Sequence, residues 1–287
     1  MFDITETTAK NIITSFQIPA KPQALADLQL EQAMPNPSPN AFAEVIAKDV
    51  ALSANVLKTV NSPLFGLNRT ITDIKQSVML LGCDNIINLA SFFQLQTAFN
   101  NKKSAISHEK YWDTAMETAN MVNILLTQLN LQNECPIEDA YAFGLFRDCG
   151  IPLMAMKYAD YKETLMEANN NPETIFTDIE EARYQTNHAI VGYFVAKSWN
   201  LPKNLCDLIL RHHEPDFLNS TDSNDLQKNL YGLVKIASNA LNHYKFMTED
   251  SEWLLAKEPV LEYFSLTEFE YNDLEEDIKE SYKTQFG

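Results

Sequence analysis

The sequence predicts an all-α protein, because glycine is scarce, apolar residues recur at helical spacing and no period-two alternation is sustained. Only 7 of the 287 residues are glycine, and the 45% apolar content excludes a disordered chain. Apolar side chains return every three or four residues, which is the period of one helical face. We expect two helical lobes, an amino-terminal helical bundle packed on a second helical domain, followed by an acidic carboxyl-terminal helical extension.

The amino-terminal lobe is expected to span residues 1–105 and to contain five or six helices. Ser38 and Pro39 supply the N-cap and the first position of one helix. Asp49 then opens the next helix, which ends at the turn Asn61–Pro63. Capping signals and prolines this close together account for the number of helices.

Three further residues set the remaining helix limits of this lobe. Thr72 can cap a helix that Gly82 ends, and Asp84 can begin the next one. The polar segment Asn100–Ser107 follows. Such a segment is typical of a loop, so we place the boundary between the lobes there.

The second lobe, residues 106–246, is expected to be helical throughout. A long helix begins at His108 and carries an apolar stripe, and a second helix ends at Gly150. Asn187 caps a third helix. The last helix of the lobe is expected to run over about residues 226–244, where apolar residues again recur at helical spacing.

The carboxyl-terminal extension, residues 247–287, is the most acidic part of the chain. It contains 12 acidic residues against three lysines, but its pattern is that of a helix and not of a disordered tail. Thr267 and Glu270 have the spacing of a capping box, and apolar residues from Tyr271 to Phe286 line one face of the helix that follows. We expect that face to dock on the protein's own body in preference to a partner.

The chain is strongly acidic, with a formal net charge of −17. Binding to nucleic acid or to an anionic membrane needs a cationic surface, so we expect no direct nucleic-acid partner and no membrane. The stretch Met1–Phe16 lacks the features of a signal peptide, and no segment approaches the ~20 apolar residues of a membrane span. We therefore place the protein in the cytoplasm.

Candidate chemistry is concentrated at polar residues that lie at the ends of apolar helices. The chain has five histidines, two of which, His212 and His213, end one such helix. His212 continues the apolar stripe, so it is either a hydrogen-bonded core residue or a ligand, while His213 turns away unless the helix has already ended. Asp148 follows Arg147, and a buried carboxylate there must meet a metal, a histidine, a helix end or an arginine. His188, at the start of a third helix, is a further candidate.

Several short motifs follow one another in a fixed order along the chain. They are Ile18–Ala20, Lys48–Leu52, Asn61–Gly66, Leu80–Gly82, Asn88–Ala90, Tyr111–Thr114, Ala142–Gly150, Asn187–Gly192, Leu210–His213 and Lys235–Ser238. Over roughly residues 15–245 this order resembles the HDOD domain family, a non-catalytic relative of the HD and HD-GYP metal-dependent phosphohydrolases. On this resemblance the first lobe is the amino-terminal lobe of an HDOD module, and the second is a degenerate HD-like helical lobe.

The resemblance also implies where metal ligands would stand in a catalytic relative. Such enzymes hold one or two divalent metals with a first histidine, a His-Asp pair and a final aspartate, and metal-bound water attacks a phosphate ester. The matching positions in this chain are Thr114, Arg147, Asp148 and Ser238, so one ligand of four remains. The guanidinium of Arg147 stays protonated, would repel a divalent cation and would pair with Asp148.

We therefore expect no bound metal and no cofactor, and we lean towards a function without catalysis. The leading hypothesis is a bacterial signal-transduction module that acts through a protein partner in a signalling pathway. The pocket candidates Thr114, Arg147, Asp148, His188, His212, His213 and Ser238 form a polar network on this hypothesis. In a further option, Arg147 binds a small ligand that carries a phosphate or a carboxylate.

The alternative is a metal-dependent phosphohydrolase that acts on a nucleotide or a cyclic dinucleotide. His188, His212 and His213 match the extra histidines of binuclear relatives. Together with Asp148 they would hold Fe, Mn, Zn or Mg. Useful affinity needs three or four good ligands, so this alternative requires all or nearly all of these residues to bind the ion.

Overall fold

The computed structural model describes residues 12, 14–65, 67, 69–100 and 102–287. Among these residues it contains 14 α-helices and no strand, so the predicted all-α fold is confirmed. Short 3-10 turns lie at Pro63–Phe65 and Phe217–Asn219. Most of the stretch Met1–Phe16, and Gly66 of the turn motif, lie outside the described residues.

The helices group into two compact units. The amino-terminal unit spans residues 19–100, and the carboxyl-terminal unit spans residues 102–285 together with the described residues before Pro19. The acidic residues 247–285 belong to the carboxyl-terminal unit in this division. The lobe limits placed at residues 105 and 246 stay predictions.

The amino-terminal unit buries its apolar positions between short helices and one long helix. Its helices are α1 (Gln23–Gln32), α2 (Pro39–Ala47), α3 (Val50–Val60) and α4 (Ile74–Phe99). Ile46 of α2 and Val56 of α3 have no exposed surface, and both helices pack on α4. Asp49 begins α3 as predicted, because its Oδ1 accepts a hydrogen bond from the backbone nitrogen of Leu52 at 3.0 Å.

Helix α4 is interrupted where the sequence predicted a helix end. Gly82 has φ 80° and ψ 162°, a conformation that is strained for residues with a Cβ atom. The cap of this helix is Asp73 and not Thr72, since the Asp73 carboxylate accepts from the backbone nitrogen of Gln76 at 2.9 Å. The prediction of a break was right, and the prediction of the capping residue was wrong by one position.

Helix α4 also corrects the statement that no segment approaches the length of a membrane span. Its 26 residues are long and apolar enough to cross a membrane by length and composition, although 61% of the most apolar window is buried in the protein. Ile86 and Leu95 have no exposed surface. The apolar character of α4 is that of the core helix of the amino-terminal unit.

The carboxyl-terminal unit is built around the helix that begins at His108. Its helices are α5 (His108–Gln128), α6 (Ile137–Phe146), α7 (Ile151–Lys157), α8 (Tyr161–Asn170), α9 (Phe176–Tyr184), α10 (His188–Ser198), α11 (Lys203–Arg211), α12 (Asp225–Phe246), α13 (Trp253–Tyr263) and α14 (Glu268–Phe286). Helices α5 and α6 approach closely at Gly144, where an added Cβ atom would lie 2.6 Å from the Cα of Ala119. Helix α12 packs against both, which closes the core beside the end of α6.

The last helix, α14, docks on the carboxyl-terminal unit as the sequence predicted. The Thr267–Glu270 capping box is present, and Tyr271, Ile278 and Tyr282 are buried. The Tyr271 hydroxyl accepts a hydrogen bond from Asn239 of α12 at 2.7 Å. The acidic extension is therefore part of the folded body.

Candidate functional site

The loop after α6 places Arg147 and Asp148 against the start of α10. Helix α6 ends at Phe146, and Gly150 follows two residues after Asp148. A Cβ atom on Gly150 would lie 2.0 Å from the backbone oxygen of His188, so only glycine permits this approach of the two backbones. The approach brings the Asp148 carboxylate next to the His188 ring.

The three histidines of the site come from two helix ends. His188 is the first residue of α10, behind Asn187, whose side chain accepts from the backbone nitrogen of Ile190 at 2.8 Å. His212 and His213 lie after the last residue of α11, Arg211. Because the helix has ended, both rings can turn to the same side, which a continuous helix would not allow.

Four predicted side chains converge on one point. One ligand atom each from Asp148, His188, His212 and His213 lies within 4.8 Å of the other three. The Oδ1 atom of Asp148 is 3.2 Å from Nε2 of His212 and 3.5 Å from Nε2 of His188. The Nε2 atoms of His188 and His213 are 2.8 Å apart. The structure thus brings together the four residues that the sequence proposed as alternative metal ligands.

The other ring nitrogen of each histidine faces a hydrogen-bond acceptor. Nδ1 of His188 is 2.6 Å from Oε2 of Glu180, and Nδ1 of His212 is 2.8 Å from the backbone oxygen of Ile209. Nδ1 of His213 contacts Oε1 of Glu252. A carboxylate or carbonyl oxygen can only accept, so each Nδ1 donates to its oxygen, and Nε2 is the nitrogen of each ring that faces the common centre. Histidines that bind metals are held in this way.

Glu180 and Glu252 were not identified from the sequence. Glu180 lies in α9, has no exposed surface and accepts hydrogen bonds from the Tyr161 hydroxyl and from the backbone nitrogen of His188. Glu252 comes from the acidic extension, just before α13, and also accepts from Nζ of Lys235 at 2.6 Å. No local motif marks either residue as part of a site.

Arg147 occupies the opposite side of the Asp148 carboxylate. Its Nε donates to Oδ2 of Asp148 at 2.9 Å, and its Nη1 donates to Oγ of Ser238 in α12. The predicted pairing of Arg147 with Asp148 is therefore present in the structure. Thr114 does not join this group but lies on the wall of a cavity that Arg147 and Asp148 also line.

Burial and charge set the protonation of the cluster. Burial raises the pKa of Asp148, but the Arg147 guanidinium and the polar contacts with the His188 and His212 rings outweigh it and hold that pKa well below its usual range. Burial lowers the pKa of His188, whereas Glu180 and Asp148 together raise it to about 10. Burial lowers the pKa of His212 and lowers that of His213 further. At neutral pH, Asp148 is thus ionised, and His188 is the protonated ring of the three.

The fold and part of the sequence match known proteins. Residues 18–215 match the family model of the HDOD domain. An HDOD domain protein of Geobacter sulfurreducens has a similar structure, with a TM-score of 0.67 and 19% identity, over 96% of this chain and 99% of that one. A candidate signal transduction protein of Marinobacter aquaeolei VT8 has a TM-score of 0.67 and 17% identity, over 95% of this chain and 60% of that one. At these identities the two structures show a shared fold.

A curated relative is an uncharacterised protein of Treponema pallidum (strain Nichols). It is 27% identical over 203 residues, which cover 68% of this chain. The matched region spans 37% of the length of that relative.

Proposed function

Because this chain belongs to the HDOD domain family, we propose that it is a regulatory module that works by binding and does not hydrolyse phosphate esters. The observation that carries the proposal is the Arg147 guanidinium, which donates hydrogen bonds to both Asp148 and Ser238. By resemblance, these three residues stand where catalytic relatives hold a metal. A permanently charged group on Oδ2 of Asp148 competes with a metal ion for that oxygen.

The regulatory role is supported by the family and by the name of one similar protein. The Marinobacter aquaeolei protein with the same fold is described as a candidate signal transduction protein. We propose that this chain likewise passes on a signal through a protein partner or a small ligand, in the cytoplasm. Capture of partners from the native bacterium with wild-type protein tests this part, and a signalling protein retained at stoichiometric yield supports it.

The histidine cluster fits a single divalent metal by the chemistry of its donor set. Three imidazole nitrogens and one carboxylate oxygen suit Zn, Fe or Mn, and the His188 ring would have to release its Nε2 proton when the ion binds. Glu180, Glu252 and the Ile209 carbonyl would orient the rings. A bound ion would supply positive charge that polarises an oxygen ligand. Asp148 would use Oδ1 for such an ion while Oδ2 stays on Arg147.

This fit favours a second candidate function, a metal-dependent phosphohydrolase that acts on a nucleotide or a cyclic dinucleotide. This second function requires hydrolysis with a single metal ion, because Arg147 and Ser238 stand at positions where the resemblance places metal ligands of catalytic relatives. The two candidates agree on the residues of the cluster and differ in whether phosphate esters are cleaved there.

A metal and activity assay separates the two. The protein is purified without chelator or metal-affinity tag, its metal content is measured, and it is incubated with bis-p-nitrophenyl phosphate and a cyclic dinucleotide plus Mn²⁺, Fe²⁺, Zn²⁺ or Mg²⁺. We expect no more cleavage than with Asp148→Asn, whether or not a metal is bound. Cleavage that Asp148→Asn loses and the exposed control Asp113→Asn keeps would establish the phosphohydrolase instead.

A further inference from the structure

A cavity of about 520 Å³ opens within the carboxyl-terminal unit beside Arg147. Its walls are formed by residues of α5, α6, α7 and α8 and of the segments just before α5 and just after α6, and none of the three histidines of the site lines it. Its volume lies in the range of pockets that hold nucleotide-sized or drug-sized molecules. The cavity therefore adjoins the polar cluster without being the histidine site.

The charge of this cavity is opposite to that of the chain. Lys110, Arg147 and Lys162 line it against the single carboxylate of Asp148, whereas the chain carries a formal net charge of −17. Within the described part of the chain, neither Lys110 nor Lys162 forms an ion pair. Arg147 already balances Asp148. Two cationic side chains thus remain to meet an anion.

The cavity also offers a buried hydrogen-bond donor. The hydroxyl of Tyr111 is buried and has no hydrogen-bond partner among the described residues. Tyr111 lines the same cavity, and the pKa of its hydroxyl is raised well above the usual range by burial and by Asp148. The hydroxyl therefore keeps its proton and can donate it to an oxyanion.

The remaining wall is apolar. Ile106, Leu145, Ile151 and Leu165 line the cavity next to the cationic side chains. Pockets of this kind hold the apolar body of a ligand and orient it through a few polar contacts. An inorganic ion alone would leave this apolar surface in contact with water.

We propose that the cavity binds a small molecule in which a phosphate or carboxylate group is attached to an aromatic or apolar body. Lys110, Lys162 and the Tyr111 hydroxyl hold the oxyanion, and the apolar wall covers the body. The proposal rests on the proposed function, because a ligand that is bound and not cleaved is the signal such a module would read. Phosphate and carboxylate share the recognising chemistry, and the choice of probes separates them.

The test is isothermal titration of the full chain with matched pairs of probes. Adenosine 5′-monophosphate is compared with adenosine, benzoate with benzamide, and inorganic phosphate serves as the oxyanion without a body. We expect at least one charged, body-bearing probe to bind more tightly than its uncharged match and than inorganic phosphate. Failure of both charged probes to bind at millimolar concentration, or equal binding of the uncharged matches, overturns the proposal.

Variants tie the binding to this cavity. Lys110→Ala and Lys162→Ala each remove a charged contact, so we expect about tenfold weaker binding of the charged probe. Lys203→Ala, an exposed lysine at the start of α11, is the matched control and should bind like wild type. Thermal unfolding checks that the variants fold, which is expected because all three lysines are exposed. Equal affinity of all three variants also overturns the proposal.

The outcomes separate this inference from the proposed function. If no charged probe binds and no phosphate ester is cleaved, ligand binding in the cavity is contradicted and the proposed function is not. Release of inorganic phosphate from adenosine 5′-monophosphate, lost in Asp148→Asn, contradicts the proposed function itself.

Discussion

The two oxygens of the Asp148 carboxylate face different chemistry. On the arginine side, Oδ2 accepts from Arg147, which also donates to Ser238. On the histidine side, Oδ1 meets Nε2 of His212 at 3.2 Å and Nε2 of His188 at 3.5 Å. Both sides balance the charge of the same carboxylate, one with the Arg147 guanidinium and the other with the protonated His188 ring.

The comparison shows that a site can lack the ligand residues expected from the family resemblance and still hold its other polar side chains in a defined geometry. By the resemblance, Arg147 and Ser238 stand where catalytic relatives have metal ligands, and in this structure the Arg147 guanidinium contacts Asp148 and Ser238. The histidine side keeps rings that are oriented by Glu180, the Ile209 carbonyl and Glu252. By the resemblance, one metal ligand of four remains in the sequence, whereas the fold gathers the ligand-type side chains of Asp148, His188, His212 and His213 around one point.

The largest effect is expected from removing the shared carboxylate. Asp148→Ala leaves Arg147, whose side chain is 17% exposed, as a largely buried cation without its carboxylate partner, so unfolding free energy should fall by about 2–4 kcal/mol, somewhat less than for a fully buried pair. Urea denaturation measures this change. Arg147→Met in the same background should recover part of the loss, and Asp113→Ala should stay near wild type. A loss below about 1 kcal/mol would contradict the view that Asp148 joins the two sides.

The next effect tests the backbone approach that creates the histidine side. Gly150→Ala forces a methyl group into the backbone of His188, so we expect about 1–3 kcal/mol of destabilisation. Thermal unfolding measures it. Gly82→Ala is an informative comparison, because an added Cβ there meets nothing within 4 Å and only the left-handed backbone is strained. A well-tolerated Gly150→Ala would mean that the two segments separate easily.

A smaller effect is expected when the orientation of His213 is loosened. Glu252→Gln weakens the acceptor for Nδ1 of His213, and such changes lower metal affinity by about tenfold or more. Titration with Co²⁺, followed by its visible absorption, measures the affinity of the histidine side. The exposed residue of the same segment, Glu258, gives the control Glu258→Gln. Equal Co²⁺ affinity in both variants would show that Glu252 does not position the ring.

The smallest effect belongs to the outer contact of the arginine side. Ser238→Ala removes the hydroxyl that accepts from Nη1 of Arg147, and we expect a loss of about 1 kcal/mol in unfolding free energy. Co²⁺ affinity should not change, because Ser238 does not contact the histidines. A change in Co²⁺ affinity would show that the two sides are coupled through Arg147.

The helices that could be predicted from the sequence are those with a clear N-cap residue and a regular stripe of apolar residues. Asp49, Asn187 and Thr267 were predicted as N-caps from their residue type and position. In the structure, a side-chain oxygen of each accepts a hydrogen bond from the backbone nitrogen three residues later. The second lobe was predicted to be helical throughout, but helices α8 and α9 were not located individually, and Glu180 of α9 was missed with them. A largely polar helix has no stripe that separates it from a loop.

The sequence by itself determined the all-α class, the family and the identities of Asp148, His188, His212 and His213 as candidates. It also placed Arg147 next to Asp148, because neighbours in the chain remain neighbours in the fold. Only the tertiary structure decided that His212 contacts Asp148, that His213 contacts His188, and that Glu252, from the acidic extension, contacts His213. These contacts join residues far apart in the chain. Their geometry depends on how the helix ends pack against one another, and this packing cannot be predicted from a local pattern of residues.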